Sequence, residues 1–196
     1  MDSLGLLFIL FAYLLGSVSS AILVCQLFGY GDPRESGSGN PGTTNVLRIG
    51  GKKAALLTLL GDMLKGFIPV ALALWMQQPQ LIVGVTGLAA FIGHLFPVFF
   101  RFKGGKGVAT FLGVILIYNI FLGFYAVICW LICAWAFRIS SLSALITAIT
   151  LPFFAWFFYP QQFVILLVMS ALLIIRHHEN IKKLLQGKES NIGQKA

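Results

Sequence analysis

Between Gly31 and Lys53 the chain reads Gly-Asp-Pro-Arg-Glu-Ser-Gly-Ser-Gly-Asn-Pro-Gly-Thr-Thr-Asn-Val-Leu-Arg-Ile-Gly-Gly-Lys-Lys, a polar, glycine-rich and basic stretch. Gly37, Gly39 and Gly42 let successive backbone N–H groups turn inward on a concave nest that favours anions. Ser38, Asn40, Thr43, Thr44 and Asn45 add side-chain donors, and Arg48 can fork onto a phosphate or carboxylate. A helix beginning near Thr43 would add the pull of its N-terminal dipole. A flexible linker could share the Gly/Ser/Asn content, but linkers seldom place Asn and Thr this densely beside two arginines. The chemistry on offer is the wrapping of a phosphate.

A second polar island is Gly93-His-Leu-Phe-Pro97 followed by Arg101-Phe-Lys-Gly-Gly-Lys-Gly107. Gly104, Gly105 and Gly107 free backbone N–H groups around the point charge of Lys106. It is not a Walker A loop, because the upstream glycine is missing and Gly107 stands where Ser or Thr is needed. That argues against a nucleotide site. His94 lies within an apolar segment and reads equally as a hydrogen-bonded structural residue or a functional one. The third island, Arg176-His-His-Glu-Asn180, sets Arg176 and His177 four and three residues before Asn180, on one helix face if the helix continues. Such a cluster can also simply end a helix at a membrane interface.

Asp62 and Lys65 lie one turn apart inside an apolar run, either a neutralising pair or an intramembrane functional pair. Ser17 and Ser19 need do no more than back-bond to carbonyls. The acidic residues are Asp2, Asp32, Glu35, Asp62, Glu179 and Glu189, with no clustered pair, so neither a metal site nor another cofactor is expected. Neither a GxSxG elbow nor an HExxH helix occurs. Cys25, Cys129 and Cys133 all fall in apolar runs, where packing explains them better than a disulfide or metal site.

These islands must be positioned by membrane helices. The 196 residues are 58% hydrophobic and only 10% charged, with a mean hydropathy of +0.90. The apolar runs are continuous rather than alternating, which favours helices over a barrel. The expected fold is one all-α polytopic membrane domain over 1–196, with spans at 4–28, 54–76, 81–100, 108–118, 120–137, 142–158 and 163–175. Loops 31–53 and 101–107 and the tail 176–196 would carry the motifs. The first run lacks a basic start and exceeds a signal-peptide core, so it reads as a retained helix.

Charge arbitrates the span count. If 108–137 crosses twice, Arg34, Arg48, Lys52, Lys53, Arg101, Lys103, Lys106, Arg138, Arg176, Lys182, Lys183, Lys188 and Lys195 all share one face. The positive-inside rule then predicts seven spans, the N-terminus outside and the C-terminus cytoplasmic. The net charge of +8 thus serves orientation and anionic lipid headgroups, and no nucleic-acid partner is expected.

The residues Asp32-x-Arg34-x-x-Gly-Ser-Gly-Asn-x-Gly-x-Thr-Asn-x-x-Arg48, Gly93-His-x-Phe-Pro97 with Phe102-Lys-Gly-Gly-Lys-Gly-Val-Ala-Thr110, and Arg176-His-x-Glu-Asn180 resemble the three motifs of the bacterial acyl-phosphate-dependent glycerol-3-phosphate acyltransferases, the PlsY family. The likeness runs from Leu15 to Asn180, with His178 standing where the family pattern has Arg. It implies acyl transfer from acyl phosphate to the 1-hydroxyl of glycerol 3-phosphate in the bacterial inner membrane, on the cytoplasmic side, without acyl-CoA or metal. The absence of an acid five residues after His94 or His177, as an HxxxxD acyltransferase would need, fits this. On this reading Ser38, Arg48, Lys106, His177 and Asn180 are catalytic. Gly37, Gly39, Asn40, Gly42, Thr43, Thr44, Asn45, His94, Gly104, Gly105, Gly107 and Arg176 bind substrate or phosphate. The general base is His177 or the donor phosphate itself. Membrane lipids and a soluble enzyme producing the donor are the expected partners. The rival readings are a small-anion transporter, which predicts internal repeats and a midplane site, and a headgroup-binding scaffold without turnover.

Overall fold

The computed structural model describes residues 3–194; Asp2 and Lys195, counted above among the charges, lie outside them. Over that range the chain forms helices α1 (Ser3–Gly16), α2 (Ser20–Leu27), α3 (Thr43–Trp75), α4 (Gln80–Leu95), α5 (Val108–Tyr118), α6 (Ile120–Phe137), α7 (Ser140–Phe158), α8 (Pro160–Arg176) and α9 (His178–Leu185), with a 3-10 turn at Val98–Phe100. Five helical segments are long and apolar enough to cross a membrane, or six if the bent pair α8 and α9 counts as one. The protein is an all-α integral membrane protein.

The first apolar run, expected as one helix over 4–28, is broken. Ser17 Oγ donates back to the Tyr13 carbonyl, and Ser19, in extended backbone, caps α2 by accepting from the Ile22 N–H. The serines therefore do more than back-bond: they end one helix and start the next. Another difference lies at the first motif, where helix replaces loop from Thr43 onward and bends at Gly51, whose φ of 74° no L-residue adopts readily.

Between Val108 and Phe137 the break falls at Asn119. Its Oδ1 accepts from the N–H groups of Phe121 and Leu122, so the side chain caps α6 as the backbone leaves α5. At 11 residues α5 is short, about 16 Å by its helical rise. It packs beside α3 through glycine: a Cβ at Gly113 would lie 2.2 Å from the Met63 carbonyl oxygen. Such close backbone approach is how helices associate in lipid, where no hydrophobic force draws them together. The core is a cluster including Phe91, Phe111, Ile115, Leu122, Leu151, Leu166 and Met169, with Phe8 of α1 and Val70 and Ala73 of α3 joining residues from α4 to α8. Phe124, Ile128, Leu131 and Trp135 of α6 stay exposed, as a lipid-facing helix requires.

Long-range hydrogen bonds tie the polar segments together at one end of the bundle. Arg34 reaches the Phe100 carbonyl, Arg176 the carbonyls of Gly104 and Gly105, Thr44 bonds Ser140, and the Ile192 N–H meets the Arg138 carbonyl. At the other end Tyr159 stacks on Phe121.

Candidate active site

The first motif is a loop shaped around one side chain. Asn45, 1% exposed, donates through Nδ2 to the carbonyls of Pro33 and Ser36 and accepts the Ser38 N–H at Oδ1. Gly37 has a φ of 61°, and a Cβ there would collide with that Oδ1 at 2.2 Å. The Asn45 amide is thus spent on holding the loop. Ser38 and Gly39 remain exposed on it, with Asn40 half-buried beside them. Gly42 precedes α3 and its carbonyl accepts from Asn45 and Val46, so the N–H groups of Thr43 and Thr44 open the helix as donors. Arg34 is forked onto Asp32, which holds that carboxyl below the usual carboxylate range.

The second motif docks against the first and third. Gly105 donates to the His94 carbonyl, and a Cβ on it would come within 2.4 Å of His94 Nε2 and 3.0 Å of the Pro41 carbonyl. Only a glycine lets this loop slide between the first motif and α4. Arg176 secures it from the far side, donating at 3.0 Å and 3.2 Å to Gly104 and Gly105 while its guanidinium covers the Phe96 ring. His94 is buried underneath, with Nδ1 3.2 Å from Thr110 Oγ1 and 3.7 Å from Asp62. The hydrogen bonds of Arg176 thus go to the loop's own backbone, and His94 packs beneath it. Gly107, with a φ of 84°, turns the chain into α5.

Lys106 projects from this loop into a set of charges drawn from all three motifs. Burial pulls its ammonium down to about 8; Glu189 opposes the shift, and Lys183, Arg48 and Arg176 add to it.

In the third motif the helix does not continue as its spacing suggests. α8 ends at Arg176, the axis bends by 60°, and α9 starts at His178, so Arg176 and Asn180 are not stacked on one face. The break instead buries His177, 2% exposed, with Nδ1 2.8 Å from the Leu173 carbonyl. A carbonyl only accepts, so Nδ1 carries the proton and Nε2 keeps a lone pair. Burial pushes this imidazole down to about 4, which leaves it neutral at pH 7.

Sequence reasoning gave no role to what completes the cluster. The tail beyond α9 folds back: Glu189 Oε1 accepts from Asn180 Nδ2 at 2.7 Å and from Ser141 Oγ at 2.8 Å, and Ser190 Oγ accepts from Arg48. The one signal in the sequence is an acidic residue within a basic tail. Arg48 Nε, Thr43 Oγ1, Asn180 Oδ1 and Glu189 Oε2 are buried without a hydrogen-bond partner. Unspent donors and acceptors in one cluster are what a polar ligand needs. No group of three or more His, Cys, Asp or Glu side chains suited to a metal occurs among the described residues.

Two cavities are lined by other residues than the cluster's own. A polar one of about 630 Å³ lies between the first and second motifs and includes Arg34, Gly39, Arg101, Lys103 and Gly104. An apolar one of about 530 Å³ runs between α7 and α8 from Ile174 to Phe157 and Phe163.

A family model described as glycerol-3-phosphate acyltransferase matches residues 6–187. The glycerol-3-phosphate acyltransferase of Vibrio campbellii is 50% identical over 195 residues, covering 100% of this chain and 96% of that protein. That of Methylococcus capsulatus is 52% identical over 191 residues, covering 96% of each. Among solved structures, the glycerol 3-phosphate form of PlsY (YgiH), an integral membrane glycerol 3-phosphate acyltransferase, superposes with a TM-score of 0.90 at 41% identity over 96% of both chains. Its lysophosphatidic acid form gives 0.87 at 39% identity, over 96% of this chain and 95% of that one.

Proposed function

The chain belongs to the glycerol-3-phosphate acyltransferase family, and from that membership we infer that it moves a fatty acyl group from acyl phosphate to the 1-hydroxyl of glycerol 3-phosphate. The products are lysophosphatidic acid and inorganic phosphate. The observation that carries the reading is the fold shared with the glycerol 3-phosphate form of a relative, in which this chain's Arg48 and Asn180 bond the adjacent tail residues Ser190 and Glu189, and Lys106 and His177 lie within electrostatic reach of that tail.

Acyl phosphate is a mixed anhydride whose carbonyl is already activated, so the protein has mainly to hold two anions together and stabilise the oxyanion. Arg48, Lys106 and the N–H groups of Ser38, Gly39, Thr43 and Thr44 are suited to the phosphates, which would otherwise repel one another. The glycerol 1-hydroxyl oxygen attacks the carbonyl carbon, the oxyanion forms against a backbone N–H of the first loop, and the bond to the phosphate oxygen breaks as that phosphate leaves. The hydroxyl proton passes either to His177 Nε2 or to the departing phosphate. The lone pair left by the bond to Leu173 supports the histidine. Its low basicity, with the imidazole near 4, supports the phosphate.

The multi-pass chain would cross the bacterial inner membrane seven times, α5 completing the count as a short span, with the N-terminus outside and the site on the cytoplasmic face. Clustering of Arg34, Arg48, Lys106, Arg138 and Arg176 at one end of the bundle supports this orientation. The acyl phosphate would then come from a soluble enzyme on that side. Purified protein given acyl phosphate and glycerol 3-phosphate should release lysophosphatidic acid and phosphate in equal amounts. Absence of both, beside an active control enzyme, would overturn the reading, and flux of phosphate across sealed vesicles without acylation would favour a transporter.

A further inference from the structure

Phosphates call for donors, whereas the hydroxyl groups of glycerol 3-phosphate also need acceptors, and two unspent acceptors lie in the third motif and the tail. Glu189 Oε1 is tied down by Asn180 Nδ2 at 2.7 Å and Ser141 Oγ at 2.8 Å, while its Oε2 and the Asn180 Oδ1 are buried with no hydrogen-bond partner. The tail that carries Glu189 is pinned just beyond it, by Arg48 on Ser190 and by the Ile192 N–H on the Arg138 carbonyl. Residue 189 also lies past the 6–187 stretch that the family model matches.

We propose that Glu189 is a specificity residue, its Oε2 accepting a hydrogen bond from the 2-hydroxyl of glycerol 3-phosphate. This rests on the acceptor named above. The 1-hydroxyl is the nucleophile and gives up its proton, so the 2-hydroxyl is the one that keeps a proton to donate throughout. A carboxylate at this point welcomes that hydroxyl and repels a phosphate. It therefore orients the substrate, with the 2-hydroxyl on Glu189 and the phosphate on the cations Arg48 and Lys106. A site built to bond a hydroxyl discriminates strongly against an analogue lacking it, because its buried acceptor is then left unpaired.

The test compares kcat/KM for glycerol 3-phosphate with that for 3-hydroxypropyl phosphate, which lacks the 2-hydroxyl, at saturating acyl phosphate. Wild type should prefer the natural acceptor. Glu189→Ala should lower kcat/KM for glycerol 3-phosphate by roughly 10- to 100-fold and shrink the preference by a similar factor, leaving the KM for acyl phosphate within about twofold. Glu189→Gln keeps the shape and the bonds to Asn180 and Ser141, so it should fold as wild type does and fall between the two. Equal losses on both acceptors would mean a merely structural role and would overturn the proposal. A gain in kcat/KM would overturn it too, marking the carboxylate as a stand-in for substrate. Wild type inactive on glycerol 3-phosphate would instead overturn the family-based reading.

Discussion

Two of the charged clusters among the described residues are settled in opposite ways. The mid-bundle cluster is closed in charge: Asp62 Oδ1, which has no hydrogen bond of its own, lies 2.9 Å from Lys65 Nζ and 3.7 Å from His94 Nδ1, Lys65 Nζ donates at 2.8 Å to the Val18 carbonyl, and His94 stands between Asp62 and Thr110. The Val18 carbonyl lies in the Ser17–Ser19 break, so the break itself supplies the partner. The interfacial cluster is open, with Arg48 Nε, Thr43 Oγ1, Asn180 Oδ1 and Glu189 Oε2 unpartnered. Intramembrane charge alone does not mark a functional site. What separates the two clusters is whether the chain supplies its own counter-groups.

The sharpest way to break that contrast is to open the closed cluster. Asp62→Ala leaves the Lys65 ammonium buried without its ion pair, and removal of one partner from such a pair costs about 3–5 kcal/mol. The thermal midpoint in detergent should drop accordingly, and Asp62→Ala with Lys65→Met should recover most of it. A double variant that regains its midpoint yet stays inactive would tie the cluster to catalysis through His94 and Gly105, and the contrast would fail.

Opening the other cluster should do the reverse. Lys106→Ala removes a cation that neutralises phosphate and should cut kcat/KM by about 10²- to 10³-fold, with little change in midpoint. A large loss of midpoint with turnover per folded molecule intact would class Lys106 with Asp62 and Lys65.

The same divide governs what was legible in the sequence. Membrane helices followed from apolar runs, and the phosphate-friendly character of the three motifs from their glycines and cations. Periodicity carried the third motif too far, because nothing in Arg176-His-His-Glu-Asn180 announces a 60° bend at His177. Residue type alone gave Asn45 and Arg176 to the ligand, whereas their hydrogen bonds go to Pro33, Ser36, Gly104 and Gly105. A donor looks the same in a sequence whether it is spent on backbone or left for substrate. Glu189 was invisible for the complementary reason: its partners, Asn180 and Ser141, are 9 and 48 residues away, and only the folded tail brings them together.

Titration sharpens the assignment of Lys106. Burial brings its ammonium from the ordinary 10.5 down to about 8. kcat/KM, which reports the free enzyme, should therefore fall about tenfold per pH unit above that point. Lys106→Arg, charged throughout, should lose this alkaline limb even if its activity is lower. Unfolding cannot mimic the effect through this residue. Between pH 8 and 10.5 the unfolded lysine binds more protons than the folded one, so its contribution to stability rises with pH while activity falls. A limb unchanged in Lys106→Arg would assign it elsewhere.

The smallest expected effect concerns the break beneath the closed cluster. Ser19 caps α2 through its bond to the Ile22 N–H, so Ser19→Ala should cost about 1 kcal/mol of stability and leave turnover unchanged. The cap also fixes where the chain turns at Val18, whose carbonyl holds Lys65. If that shared partner matters, Ser19→Ala should cost less in the Asp62→Ala, Lys65→Met background than in wild type, because no ammonium remains to need the carbonyl. Equal costs in both backgrounds would show that the cap and the ion pair stand independently, and that the closed cluster consists of Asp62, Lys65 and His94 alone.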